Sequence, residues 1–203
     1  MKIEHFDGPI GGEVTGVDLS AIADGDFEAL YQAWIERGVL RIRDQQLDDI
    51  ALQTFSARFG PLEEIPVLLS EAERSQLPSL YVTIISNIVV NDVPIGGLAN
   101  KEAAWHSDMT YVDMPPKASL LYGMEIPNTG GDTWFCNMYR VYEDLPEAMK
   151  TRIAGLRCKH DSTRTSSGSL RTGFAEQYSP EEQPGEDHPL IVRHPETNRQ
   201  ALY

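Results

Sequence analysis

Residues 81–90, YVTIISNIVV, form a nearly continuous run of β-branched side chains broken by one amide, Asn87. Such a run has no polar face to offer water, so it predicts a strand covered on both sides and therefore a layered sheet. Asn87 fits either a satisfied amide in a core or a side chain lining a pocket. The neighbouring stretches supply the other layers. Residues 2–19, with Gly8, Gly11, Gly12 and Gly16, read as short strands joined by tight turns. Phe27, Leu30, Tyr31, Trp34 and Ile35 recur at helical spacing. They predict a helix over about 27–37, capped by Asp24 or Asp26 and closed by Gly38.

Further along, residues 39–43 (VLRIR) alternate as a strand, with Arg41 and Arg43 on one face, either solvated or holding an anion. A second amphipathic helix opens at Asp48 or Asp49 and runs to Phe59, before Gly60-Pro61. Residues 61–79 read as an irregular loop, and 91–101 as a flexible one. Residues 119–126 and 132–137 predict a hairpin about Asn128-Thr129-Gly130-Gly131. A helical stretch over about 139–156 contains Pro146 and so is expected as two helices or one kinked helix. Residues 161–187, rich in Ser, Thr, Gly, Pro and Glu, are expected to be a mobile excursion. Residues 190–194 and 200–203 then close a last hairpin. Many short strands with helices grouped before and after them suit an α+β domain with a sandwich or barrel core.

The chain has 203 residues, the size of one domain with a substantial core, and a formal net charge of −14. So acidic a chain lacks the basic footprint that nucleic acids and anionic membranes require. Its two cysteines, Cys136 and Cys158, form no C-x-x-C and suit reduced packing thiols. Charged residues at the N-terminus leave no signal-peptide core, and no apolar run approaches the roughly 18 residues of a membrane span. The expectation is a cytoplasmic protein.

The chemistry is concentrated in Trp105-His106-Ser107-Asp108-Met109-Thr110-Tyr111. In extended backbone His106 and Asp108 share a face, presenting an imidazole nitrogen beside a carboxylate. That is two thirds of the 2-His-1-carboxylate set that holds non-haem Fe(II) with open positions. The flexible loop at 91–101 lies directly before it, where a substrate-covering loop would sit.

Four segments, in order, carry a resemblance: Trp105-His106-Ser107-Asp108, Pro115-Pro116, Asn128-Thr129-Gly130-Gly131-Asp132-Thr133 and His188-Pro189-Leu190-Ile191-Val192-Arg193-His194-Pro195. With the opening Gly11-Gly12-Glu13-Val14-Thr15-Gly16-Val17-Asp18-Leu19, they make the chain similar to the taurine dioxygenase / 2,4-dichlorophenoxyacetate dioxygenase family over essentially its whole length. The resemblance implies one dioxygenase domain over 1–203. Its fold would be a double-stranded β-helix (jelly roll) with flanking helices. It also implies Fe(II), 2-oxoglutarate as cosubstrate, and O₂. His106 and Asp108 match the first two iron ligands. Thr133 matches the threonine that bonds a 2-oxoglutarate carboxylate, although a plain strand threonine also fits. Met109 and Tyr111 fall where pocket-lining side chains follow the ligand motif, whereas Trp105 suits core. The implied reaction is hydroxylation of a small organic acid, coupled to decarboxylation of 2-oxoglutarate to succinate and CO₂. Related halogenases carry a small residue at the position of Asp108, so a carboxylate there implies hydroxylation.

Two features depart from the family. Its members continue well past the hairpin at Tyr203, and the third iron ligand (a distal histidine) and the 2-oxoglutarate-binding arginine lie in that continuation. His5, His160, His188 and His194 do not match the distal position. The expectation is a chain truncated at its C-terminus. The alternative is a catalytically inactive jelly-roll fragment that binds a ligand or partner; a zinc hydrolase on the same two ligands is a weaker one, since it gives the Gly-Gly-Asp-Thr turn no role. Second, Ile65 and Leu68 fall where taurine dioxygenase uses side chains that bond the sulfonate, and neither can donate a hydrogen bond. Taurine is therefore not expected as substrate. A small-molecule organic acid is the expected partner, with a homo-oligomer open by analogy.

Overall fold

The computed structural model describes residues 1–64, 79–94, 96–98, 104–171, 173–176, 178–179 and 181–203. Ile65 and Leu68 lie outside the described residues. The fold is mixed α/β and divides into two compact units. One comprises Met1–Phe55, Leu121–Cys158 and His188–Tyr203; the other comprises Ser56–Leu120 and Lys159–Asp187.

The first unit is built on a three-stranded sheet. Strands β1 (Lys2–His5) and β2 (Gly12–Thr15) form an antiparallel hairpin in the register Lys2↔Thr15, and β3 (Leu40–Ile42) joins β2 in parallel. Helix α1 (Asp24–Arg37) makes the crossover between β2 and β3 and packs on all three strands. Val14, Leu30, Ala33 and Phe55 are buried here, Leu30 at 1 % exposure and Phe55 at 2 %. Gly38 ends α1 at φ +73°, where its N–H donates to the Trp34 carbonyl at 2.7 Å, as expected of a left-handed terminal glycine. The start of the helix differs from expectation. Ala23 is the N-cap and has no side-chain bond to give, so Asp24 and Asp26 sit inside the first turn, where a negative charge favours the helix dipole. Arg41 and Arg43 do hold an anion, one of the chain's own. Both reach Glu13, at 2.9 and 2.7 Å, and Arg43 with Arg41 holds that carboxyl below the usual range against slight desolvation.

Helix α2 (Asp49–Ser56) is capped by Asp48, whose carboxylate accepts from Ala51 N–H at 2.8 Å. The expected kink at Pro146 is a break between α3 (Met138–Glu143) and α4 (Glu147–Ile153), with Pro146 as N-cap of α4. The closing hairpin is present as β10 (Ile191–Arg193) and β11 (Gln200–Leu202). Strand β11 packs on α3, Arg199 binds Glu143 at 3.0 Å, and its guanidinium lies 4.1 Å from the Tyr139 ring centroid.

Two strand expectations are corrected. Residues 81–90 are not one buried strand. They give only the two-residue strands β4 (Ile85–Ser86) and β5 (Val89–Val90), paired with β7 (Gly97–Leu98) and β6 (Val93–Pro94). Ile84, Ile85, Ile88, Val89 and Val90 are all exposed, because the described residues give these strands a ladder on one edge and no covering layer. Residues 119–126 and 132–137 pair in no ladder among the described residues, so that hairpin is absent there. Residues 128–130 bend between them, and Gly130 and Gly131 sit at φ +78° and +71°. The segment from residue 161 carries its own bonding. Strand β8 (Arg157–Asp161) pairs with β9 (Gly185–Pro189), and a bridge joins Arg164 to Leu170.

Candidate metal centre

His106 and Asp108 meet, though not in the extended backbone expected of them. Residues 108–111 form a turn, closed by Val112 N–H on the Met109 carbonyl at 3.2 Å. Met109 itself sits at φ +50°, a left-handed conformation that costs a long side chain about 1–3 kcal/mol. The turn replaces the strand geometry and still brings His106 Nε2 to 3.2 Å from Asp108 Oδ1.

The hydrogen bonds around the pair fix its chemistry. His106 Nδ1 lies 2.7 Å from the Ala104 carbonyl, which can only accept, so Nδ1 carries the proton. In a neutral imidazole Nε2 then keeps its lone pair, and that lone pair faces a carboxylate oxygen. Two such donors repel unless a proton or a cation lies between them. Two ligands at right angles, each about 2.1 Å from one ion, are about 3.0 Å apart, so the observed separation suits a shared metal. The other carboxylate oxygen, Asp108 Oδ2, accepts from the Ser119 hydroxyl at 2.6 Å. A backbone carbonyl on the distal imidazole nitrogen and a hydroxyl on the distal carboxylate oxygen are the outer partners that orient metal ligands. The donor set therefore fits Fe(II). Among the described residues no third His, Cys, Asp or Glu joins the pair.

The remaining expected residues are distributed as follows. Met109 and Tyr111 lie on the same turn, and the Tyr111 ring carries the Arg171 guanidinium 4.7 Å from its centroid. Thr133 belongs to the other compact unit. There it lines a cavity of about 370 Å³ with Phe6, Ile10, Arg41, Asp132 and Trp134. Asn87 is exposed, so it is not a core amide. Ser119, the Ala104 carbonyl and Arg171 are absent from the sequence reading. Ser119 and Arg171 lie 11 and 60 residues from the side chains they touch, and no local spacing signals such a pairing.

Comparison with known proteins bears on the whole chain. It is 31 % identical over 210 residues to an alkylsulfatase of Acinetobacter baylyi, which it matches with its full length and 62 % of the relative's. It is 30 % identical over 208 residues to an (S)-phenoxypropionate/alpha-ketoglutarate-dioxygenase of Sphingobium herbicidovorans, covering 69 % of that protein. The crystal structure of a taurine dioxygenase from Burkholderia xenovorans superposes with a TM-score of 0.71 at 27 % identity, over the whole of this chain and 62 % of that one. The chain thus spans between six and seven tenths of the length of these relatives. No helix among the described residues is long and apolar enough to cross a membrane. The family model described as "Taurine catabolism dioxygenase TauD, TfdA family" matches residues 2–203, and the chain belongs to that family.

Proposed function

We propose that the protein is an Fe(II)- and 2-oxoglutarate-dependent dioxygenase that hydroxylates a small organic acid, with 2-oxoglutarate decarboxylated to succinate and CO₂. The observation that carries the reading is the geometry of His106 and Asp108: a lone pair and a carboxylate 3.2 Å apart, each oriented by an outer hydrogen bond. His106 Nε2 and Asp108 Oδ1 would hold the iron, which when bound supplies a site for oxygen and for the chelating oxo-acid. The Ala104 carbonyl keeps the His106 proton on Nδ1, and Ser119 restrains Asp108. The Thr133 hydroxyl is assigned to a 2-oxoglutarate carboxylate, a charge-assisted bond. Met109 and Tyr111 are assigned to the substrate pocket, together with Ile65, Leu68 and Asn87. The complete protein is inferred to close a jelly roll. The relatives' names, an alkylsulfatase and a phenoxypropionate dioxygenase, support a substrate bearing a sulfate or carboxylate. Ile65 and Leu68 argue against taurine.

Anaerobic titration of the complete protein with Fe(II) and 2-oxoglutarate tests this. A visible metal-to-ligand charge-transfer band is expected, and His106→Ala should abolish both the band and substrate-dependent succinate. A folded protein without the band, or a His106→Ala variant that keeps its activity, would remove the pair from the chemistry.

A further inference from the structure

A substrate anion needs a donor, and neither Ile65 nor Leu68 has one to give. The compact unit that contains His106 and Asp108 holds a cation suited to the task. Residues 163–171 form a tight hairpin. Arg171 N–H donates to the Thr163 carbonyl at 2.7 Å, Thr165 N–H to the Ser169 carbonyl at 2.9 Å, and Gly168 N–H to the Thr165 carbonyl at 2.8 Å. Its base is anchored by Asp161, whose carboxylate accepts from the N–H and the hydroxyl of buried Thr163 at 2.7 and 2.8 Å.

Two contacts tie this hairpin to the metal pair. At its tip, the Ser166 carbonyl accepts from Ala104 N–H at 2.9 Å, and the carbonyl of that same Ala104 holds His106 Nδ1. At its end, the Arg171 guanidinium lies over Tyr111, three residues after Asp108, and Arg171 Nε donates to the Arg164 carbonyl at 3.3 Å. Ring and carbonyl together hold the guanidinium plane. Arg164, by contrast, is neutralised by Glu176 at 2.8 Å. Among the described residues no carboxylate pairs with Arg171, and no acceptor takes its two terminal nitrogens. An oriented guanidinium with both terminal nitrogens uncommitted matches a planar carboxylate or a sulfate bidentately.

We propose that Arg171 is a specificity-determining residue that binds the anionic group of the organic-acid substrate, with Tyr111 as its platform. The proposal rests on the oxygenase reading for the word substrate. Tyr111 follows the ligand motif, where the family resemblance puts pocket-lining side chains, and this favours the substrate over 2-oxoglutarate as the anion held.

The test measures binding as well as turnover. The complete protein, loaded anaerobically with Fe(II) and 2-oxoglutarate, is titrated calorimetrically with 2-phenoxypropionate and with hexyl sulfate, alongside the neutral 2-phenoxypropionamide. Wild type should bind at least one of the two anions. Arg171→Gln should weaken that anion by roughly 10- to 100-fold, consistent with a lost charge-assisted bond. Arg171→Lys should recover part of the loss, and the 2-oxoglutarate dependence of the charge-transfer band should stay within about twofold. Tyr111→Leu, which removes the platform and keeps the cation, should weaken the anion by roughly three- to tenfold and decides the matter if Arg171→Gln does not fold. Unchanged anion affinity in the variants, a loss falling on 2-oxoglutarate, or a wild type blind to both anions would overturn the assignment. Absence of the band in wild type, with anion binding still dependent on Arg171, would overturn the oxygenase reading and leave the anion site standing.

Discussion

At the scale of single residues, Asp108 has its two oxygens divided between two tasks. Oδ1 faces His106 Nε2, and Oδ2 is occupied by the Ser119 hydroxyl at 2.6 Å. If Ser119 orients the carboxylate, Ser119→Ala should weaken Fe(II) binding about tenfold while the folded protein persists, because outer hydrogen bonds to metal ligands are worth factors of that size. Anaerobic Fe(II) titration followed by the charge-transfer band reads this directly, and an unchanged titration would reduce Ser119 to a bystander. The proximity of His106 and Asp108 was expected from extended backbone, in which i and i+2 share a face, and it is reached by a turn instead. That turn was not legible in the sequence. A left-handed Met109 carries no sequence signature, since methionine has no preference for that region.

The hairpin at residues 163–171 shows what holds an element together when few apolar groups are present. Desolvation pushes the Asp161 carboxyl up, but bonds from Thr163 N–H, the Thr163 hydroxyl and Gln183, with the Arg164 charge, outweigh it and leave the group below its ordinary value of 3.8. A carboxyl lowered in the folded state stabilises that state fully above its unfolded value, and the stabilisation is lost as pH falls through the folded value. Wild type should therefore exceed Asp161→Asn in urea midpoint by a constant margin above about pH 5, with the margin closing in the acid range below. A margin that does not change with pH would show that Asp161 acts without its charge. Composition marks residues 161–187 as polar and poor in large apolar groups. It does not reveal that Thr and Asp side chains there bond to backbone two to four residues away. The helices were the most legible elements, because α1 has helical spacing and a closing glycine, and Pro146 separates α3 from α4. The strands at 81–90, 119–126 and 132–137 were misread for one reason. A β-branched or apolar run states what a strand would bury, and its formation depends on a partner edge and a covering layer elsewhere.

For the whole molecule, that missing cover has a measurable size. Met124 is 89 % exposed, Trp134 75 %, Ile126 72 % and Leu121 68 %, and all four belong to the first compact unit. Exposed apolar groups that gather into a patch mark surfaces that associate. A chain of these 203 residues prepared alone should bind a hydrophobic dye strongly and associate as its concentration rises. Replacing Met124 and Ile126 by lysine should lower both signals, and light scattering that shows a dye-free monomer at high concentration would contradict the exposure described. The interlaced order of the two units has a kinetic consequence. The chain passes between them after Phe55, Leu120, Cys158 and Asp187, so neither unit is a continuous segment. The Tyr31 hydroxyl reaches Glu196 across 165 residues, and Glu143 waits for Arg199. On a ribosome, α1 and α3 emerge long before β10 and β11 exist to meet them. Loop closure over such separations is slow, so the first unit stays unfinished until β10 and β11 have been made, and its apolar groups lie open until then.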